Sequence, residues 1–198
     1  MLSPDAFRDA AHRAEGVSVA DLLALHGRAS WPALLLVLAV LSAIPLAGVG
    51  TALSLPMFAV AWGWPGRGRT ARAGRLVPER LLGLRLGERW SARCLHLFAG
   101  LYGGARRVMR RRWAGLRHAR TLTAWRLWIA GMAFLILLPL PLGNVLPAIS
   151  LALLGLGWVH RDGVALLLAL LVGSAGWAWL ALSAHLLVAL WERAAALL

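Results

Sequence analysis

The chain has 198 residues, 60% of them hydrophobic, and carries 21 basic against 8 acidic residues for a net charge of +13. Its mean hydropathy is +0.71. A soluble domain would be about 45–50% apolar, so an ordinary water-soluble globule is excluded, and the abundance of apolar residues excludes disorder over most of the chain. Every basic residue is arginine, and the single cysteine, Cys94, has no partner for an internal disulfide and reads as a small apolar residue.

Residues 1–30 read as an amphipathic preface. Ser18-Val-Ala-Asp21 is a capping-box-like helix start with Val17 placed to staple against Leu22. Leu22, Leu23 and Leu25 follow and Gly27 ends the segment, a short helix expected to lie on the membrane surface. Arg8, Arg13 and Arg28 alternate with Asp5, Asp9, Glu15 and Asp21 ahead of the first apolar run. A cleavable signal peptide has a different order of charge and apolarity, so the first apolar segment is expected to be retained.

From Trp31 to Leu46 the sequence is WPALLLVLAVLSAIPL, with Pro32 suited to a first helical turn and Pro45 to a break. Sixteen residues at 1.5 Å each reach about 24 Å, short of a hydrocarbon core of about 30 Å. A second run of similar length, Gly48 to Trp64, contains Pro56. Residues 31–64 are therefore predicted to form a re-entrant helical hairpin. The pattern returns in WIAGMAFLILLPLPL from Trp128 to Leu142, punctuation at Gly143 and Asn144, and VLPAISLALLGLGWV from Val145 to Val159, placing a second hairpin over 126–159. The Pro-Leu start, nearby glycine and Leu-Pro re-entry shared by Pro45–Pro56 and Pro141–Pro147 suggest an internal repeat, although a gap is needed to align them.

Between the hairpins, the connector over 65–125 is dominated by charge. Sixteen arginines fall between Arg67 and Arg126 against Glu79 and Glu88, and the positive-inside rule places this segment in the cytoplasm. Arg85, Arg89 and Arg93 recur every four residues opposite Leu82, Leu86, Trp90, Cys94 and Leu97, the pattern of an interfacial amphipathic helix. Crossing by 81–102 would bury three arginines at about 2.5–3.5 kcal/mol each, and is disfavoured. The final stretch, Gly163 to Trp191, is uncharged for 29 residues and reaches about 43 Å, enough for one full span. Ala169 and Gly173 give it a small-residue face suited to a homodimer seam. Seven of the eleven tryptophans, among them Trp31, Trp62, Trp64 and Trp158, lie at the ends of apolar runs, where indoles favour the headgroup level.

Residues that could carry chemistry are few. Arg106, Arg107, Arg110, Arg111 and Arg112, with Trp113 beside them, would suggest nucleic acid in a soluble protein; beside such apolar segments they are read as contacts to anionic lipid headgroups, and no nucleic-acid partner is expected. Gly48, Thr51 and Ser54 at the first break, and Gly143, Asn144 and Ser150 at the second, could form a polar midplane site for a substrate or ion, because broken helices turn backbone groups into a cavity. The same side chains could instead satisfy backbone groups freed by the prolines. Arg161 and Asp162 form a polar turn before the last span, with Asp162 placed to cap the helix and Arg161 to reach headgroups. His185 is a titratable group within that span. There is no HExxH, GxSxG or GxxxxGK[ST] motif, no acidic cluster and no histidine spacing for a metal; no enzyme, metal or cofactor is expected.

The stretch PLPLGNVLPAISLALLGLGWVHRDGVALLLALLVG, Pro139 to Gly173, closely resembles the C-terminal signature of the exopolysaccharide synthesis protein ExoD family, with its Pro-x-Pro-x-Gly-Asn, Leu-Pro-Ala and Arg-Asp-Gly elements. VSVADLLALHGRASWPALLLVLAVLSAIPLAGVGTALSLP resembles the family's N-terminal half, and Arg75-Leu76-Val77-Pro78 stands where the family has a Trp-Leu-Pro segment. The first break has fewer prolines than relatives often show, and the middle is richer in arginine. The resemblance covers residues 17–173 and implies a bacterial inner-membrane protein associated with exopolysaccharide production, without assigning a catalytic residue.

The sequence thus predicts an all-α integral membrane protein forming a single domain over 1–198: two Pro/Gly-broken re-entrant hairpins, an Arg-rich amphipathic connector and one C-terminal transmembrane helix. Its expected role is support of exopolysaccharide synthesis or export, transporter-like with a midplane site, or alternatively as a scaffold recruiting polysaccharide-synthesis proteins through the arginines. The N-terminus and connector are expected in the cytoplasm.

Overall fold

The computed structural model describes residues 31–43, 49–64, 88–117, 121–138 and 143–196. The preface over 1–30, Gly48, Pro45, Pro141 and the arginines from Arg67 to Arg85 lie outside the described residues. Within them the chain is helical: α1 Trp31–Ser42, α2 Val49–Gly63, α3 Glu88–Val108, a 3-10 turn Ala114–Arg117, α4 Leu122–Leu137, α5 Val145–His160 and α6 Gly163–Ala195. Four helices of 12–16 residues thus form two pairs, α1–α2 and α4–α5, each pair joined at a break where the sequence carries proline and glycine. The first helix of the second pair begins at Leu122, ahead of the boundary expected from hydropathy, because Thr121 and Trp125 anchor it to the 3-10 turn. Thr121 Oγ1 and Trp125 Nε1 donate to the Leu116 carbonyl at 2.8 and 2.7 Å.

The pairs pack crosswise, α1 on α5 and α2 on α4. α1 lies at the centre: every residue from Ala33 to Ser42 is buried, as expected for a helix apolar on all faces. Pro56 sits inside α2 without ending it, and Ser54 Oγ donates to the Thr51 carbonyl at 2.7 Å in the turn before it. Both hairpins point the same way. At one end, the tip, a Cβ on Gly50 would meet the Asn144 amide and Ile136. At the other, the base, Arg126 donates from Nη2 to the Trp64 carbonyl at 3.0 Å, and a Cβ on Gly155 would lie 2.9 Å from the Pro32 carbonyl oxygen.

α6 starts at the base and lies along α5 and α4. Gly173 is required by close approach, since a Cβ there would strike Trp128, Ser150 and Met132. Its neighbour across the interface, Ser150, donates to the Ala169 carbonyl at 2.7 Å and accepts Trp128 Nε1 at 3.2 Å. By Gly176 the helix is level with Leu146 and Pro147 near the tip. From Trp177 to Ala195 no described residue is buried; Trp177 still lies against Gly131 and Leu180 against the core, so α6 continues for about 22 Å past its last contact with the hairpins. Among the described helices it alone is long and apolar enough to cross a membrane.

α3 is amphipathic, and its buried stripe is Leu95, Phe98, Ala99, Tyr102 and Ala105; Arg85, Leu82 and Leu86 of the predicted pattern lie outside the described residues. Leu97, assigned to the apolar stripe from the sequence, is 48% exposed. The four-residue spacing used to choose that stripe tracked charge, and Leu97 instead edges a groove between α3 and the bundle.

Candidate functional site

Polar groups concentrate at the base and the tip. At the base, α5 ends with Arg161 in the left-handed region (φ 60°), and the chain turns into α6 through Asp162. Asp162 is 1% exposed. Its Oδ1 accepts Val164 N–H at 2.9 Å, the helix cap expected from the sequence. The same carboxylate accepts Arg112 Nε at 3.0 Å, Arg112 Nη2 at 3.2 Å and Arg110 N–H at 3.0 Å. Gly163 N–H donates to the Arg112 carbonyl at 3.0 Å, forming an isolated bridge between Arg112 and Asp162. Gly163 is dictated by this approach, since a Cβ would lie 2.6 Å from Trp113 Cβ; Trp113 itself is left-handed, with φ 54°.

Burial pushes the Asp162 carboxyl up, and the Arg112 guanidinium with the two backbone N–H groups outweighs it, holding the group below the usual carboxylate range. The hydrogen bonds that Arg112 donates to Asp162 in turn raise Arg112. On α3, burial raises Tyr102 above the ordinary phenol value. Arg161, predicted to share the polar turn with Asp162, is exposed; the aspartate's cationic partner is Arg112, fifty residues earlier. Sequence reasoning assigned Arg112 to lipid contact and missed this pairing. One signal was present: after Glu88 the chain has only Asp162 and Glu192 as carboxylates, so a fixed connector arginine has few partners. Arg106, Arg107, Arg110 and Arg111 have exposed side chains, and no carboxylate pairs with them among the described residues.

The base is also aromatic. Trp64 and Trp158 meet edge to face with ring centroids 5.3 Å apart, Tyr102 lies 6.2 Å from His160, and Trp31 covers Gly63. Trp62 and Trp113 face outward.

At the tip, Asn144 is the N-cap residue of α5, but its backbone is helical (φ −81°, ψ −23°) and its side chain makes no cap hydrogen bond. The amide lies across Gly50 of α2, and its Oδ1 is buried without a hydrogen-bond partner among the described residues. Thr51 is exposed one residue after Gly50, and Gly143 is buried beside Asn144. Of the residues expected at a midplane site, the structure brings Asn144 to the first turn of α2, where Thr51 lies. Ser150 lies deeper, bonded between α4, α5 and α6, and Ser54 is bonded within its own helix; both hydroxyls are engaged. His185 is exposed on α6 beyond the tip. Among the described residues no three His, Cys, Asp or Glu side chains converge as metal ligands.

No curated protein and no solved structure matches the chain. The family model described as "Exopolysaccharide synthesis, ExoD" matches residues 5–182, covering both hairpins, the Asp162 turn and the first part of α6. With that match over most of its length, the chain belongs to the ExoD family of exopolysaccharide synthesis.

Proposed function

We propose that this protein is an integral component of the bacterial inner membrane that supports exopolysaccharide synthesis or export without catalysing a reaction. In this reading both hairpins dip into the bilayer from the cytoplasmic face and α6 crosses it. One observation carries the reading: the hairpin helices are about 18–24 Å long, too short for a core of about 30 Å, their tips lie at one level, and α6 runs on past that level. The base then sits among cytoplasmic headgroups, where Arg106, Arg107, Arg111, Trp62 and Trp113 suit the interface. The tip lies near the midplane, where an unsatisfied Asn144 Oδ1 and exposed Thr51 offer polar atoms to a passing substrate or ion.

Complementation of cells lacking the protein tests this role. Thr51→Ala with Asn144→Ala should lower secreted exopolysaccharide at least tenfold while membrane insertion is unchanged; full secretion by that variant removes the transporter-like site. The exposed arginines favour a second reading, a scaffold for polysaccharide-synthesis proteins. Charge reversal at Arg106, Arg107 and Arg111, which spares Arg112, would then abolish both co-purification and secretion, with the tip variant silent.

A further inference from the structure

Between α3 and the start of α6 runs an open groove of about 540 Å³, within the range of about 300–1,000 Å³ typical of ligand sites. One wall is the outer edge of α3 from His96 to Val108, including Leu97, Leu101, Gly100 and Gly104; the other is Leu153 and Leu156 of α5 with Val164, Ala165 and Leu168 of α6. The Arg112–Asp162 pair closes one end. The α3 wall, from His96 to Val108 at 1.5 Å per residue, is about 18 Å long. Among the described residues a Cβ on Gly100 or Gly104 would meet nothing within 4 Å, so these two glycines widen the groove without being needed for packing there. Arg107 follows Gly104 by three residues and so shares its side of α3, and Arg111 precedes the clasp; both are exposed cations without a carboxylate partner among the described residues.

We infer that this groove is a binding site for an anionic phospholipid of the surrounding bilayer, with one acyl chain along Leu97, Leu101 and Leu168 and the phosphate held by Arg107 and Arg111. Apolar walls fit the chain, and the unpaired guanidinium groups fit the phosphate, as paired donors with fixed charge. The site rests on the protein being membrane-embedded, but on neither the transporter-like nor the scaffold reading. It makes α3 a lipid-dependent clamp on the base.

The test is native mass spectrometry of the full-length protein in detergent, titrated with phosphatidylglycerol or phosphatidylcholine. Carbonate washing of membranes comes first: a protein released by the wash overturns the membrane reading before any lipid is added. The parent should retain one phosphatidylglycerol with at least tenfold preference over phosphatidylcholine. Gly100→Leu with Gly104→Leu should weaken retention at least tenfold while the thermal midpoint holds or rises, because leucine favours helix over glycine. Arg107→Gln with Arg111→Gln should remove the headgroup preference and keep chain binding. Equal retention of the two lipids by the parent, undiminished binding by the leucine variant, competition by glycerol phosphate without a chain, or preferential capture of a polyprenyl phosphate would each overturn the assignment.

Discussion

At the base of the bundle, four hydrogen bonds converge on the Asp162 carboxylate and a fifth joins Gly163 N–H to the Arg112 carbonyl; at the tip, the two hairpins meet through Gly50 packed against Asn144 and Ile136, and the buried Asn144 Oδ1 has no hydrogen-bond partner among the described residues. The contrast separates two ways of fixing a helix pair. A fully satisfied buried network is rigid and specific, and loses heavily when one member is removed. A contact defined by shape tolerates changes in polarity and resists added volume. The Asp162 carboxylate is therefore read as the structural anchor that joins the Arg-rich connector to the helical bundle; orphaned polar atoms are not confined to the tip, since Trp64 Nε1 and Trp158 Nε1 at the base are also buried without a hydrogen-bond partner among the described residues.

The contrast breaks most severely at Asp162. Asp162→Ala orphans the Arg110 and Val164 N–H groups and should cost about 2–4 kcal/mol, read as a large fall in thermal midpoint in detergent; an unchanged midpoint would mean that the base is not anchored there. The same carboxylate predicts an acid dependence. Because its folded pKa is lowered, its contribution to stability is complete above the ordinary carboxylate value near about 4 and is lost as pH falls through the lower folded value. A melting series from neutral pH to pH of about 3 should show that loss in the parent and its absence in Asp162→Asn.

At the tip, Gly50→Val should cost about 1–3 kcal/mol through overpacking against Asn144 and Ile136, detectable as a smaller midpoint shift than that of Asp162→Ala. Asn144→Ala sharpens the comparison from the other side. A capping asparagine usually contributes about 1 kcal/mol, but this one makes no cap bond, so the substitution should stay within about 0.5 kcal/mol. A cap-sized loss would show that Asn144 holds the tip together and would weaken its reading as a functional group.

Much of this arrangement was legible in the sequence where breaks and lengths carried it. Pro45, Pro141, Gly143 and Asn144 bracketed the short helices, and the uncharged run from Gly163 gave the long one. How the helices pair was not legible. A helix such as α1, apolar on every face, has no periodic signal to say which side meets α2 and which α5, so the crosswise packing appears only in three dimensions. The Arg112–Asp162 clasp spans fifty residues and leaves no local pattern. Leu97 and Ser150 were misread or half-read for the same reason: their neighbours, a groove edge for one and Ala169 with Trp128 for the other, come from distant segments.

The central claim is that the hairpin tips end inside the bilayer. It is tested most directly by electron paramagnetic resonance depth measurements in liposomes, with single spin labels in a Cys94→Ser background at the exposed positions Ala124 near the base, Ala52 near the tip and Ala195 at the end of α6. The account predicts headgroup depth for Ala124, a maximum in oxygen accessibility over nickel-chelate accessibility near the midplane for Ala52, and the opposite headgroup region for Ala195. A label at Ala52 that reports headgroup or aqueous depth would contradict it.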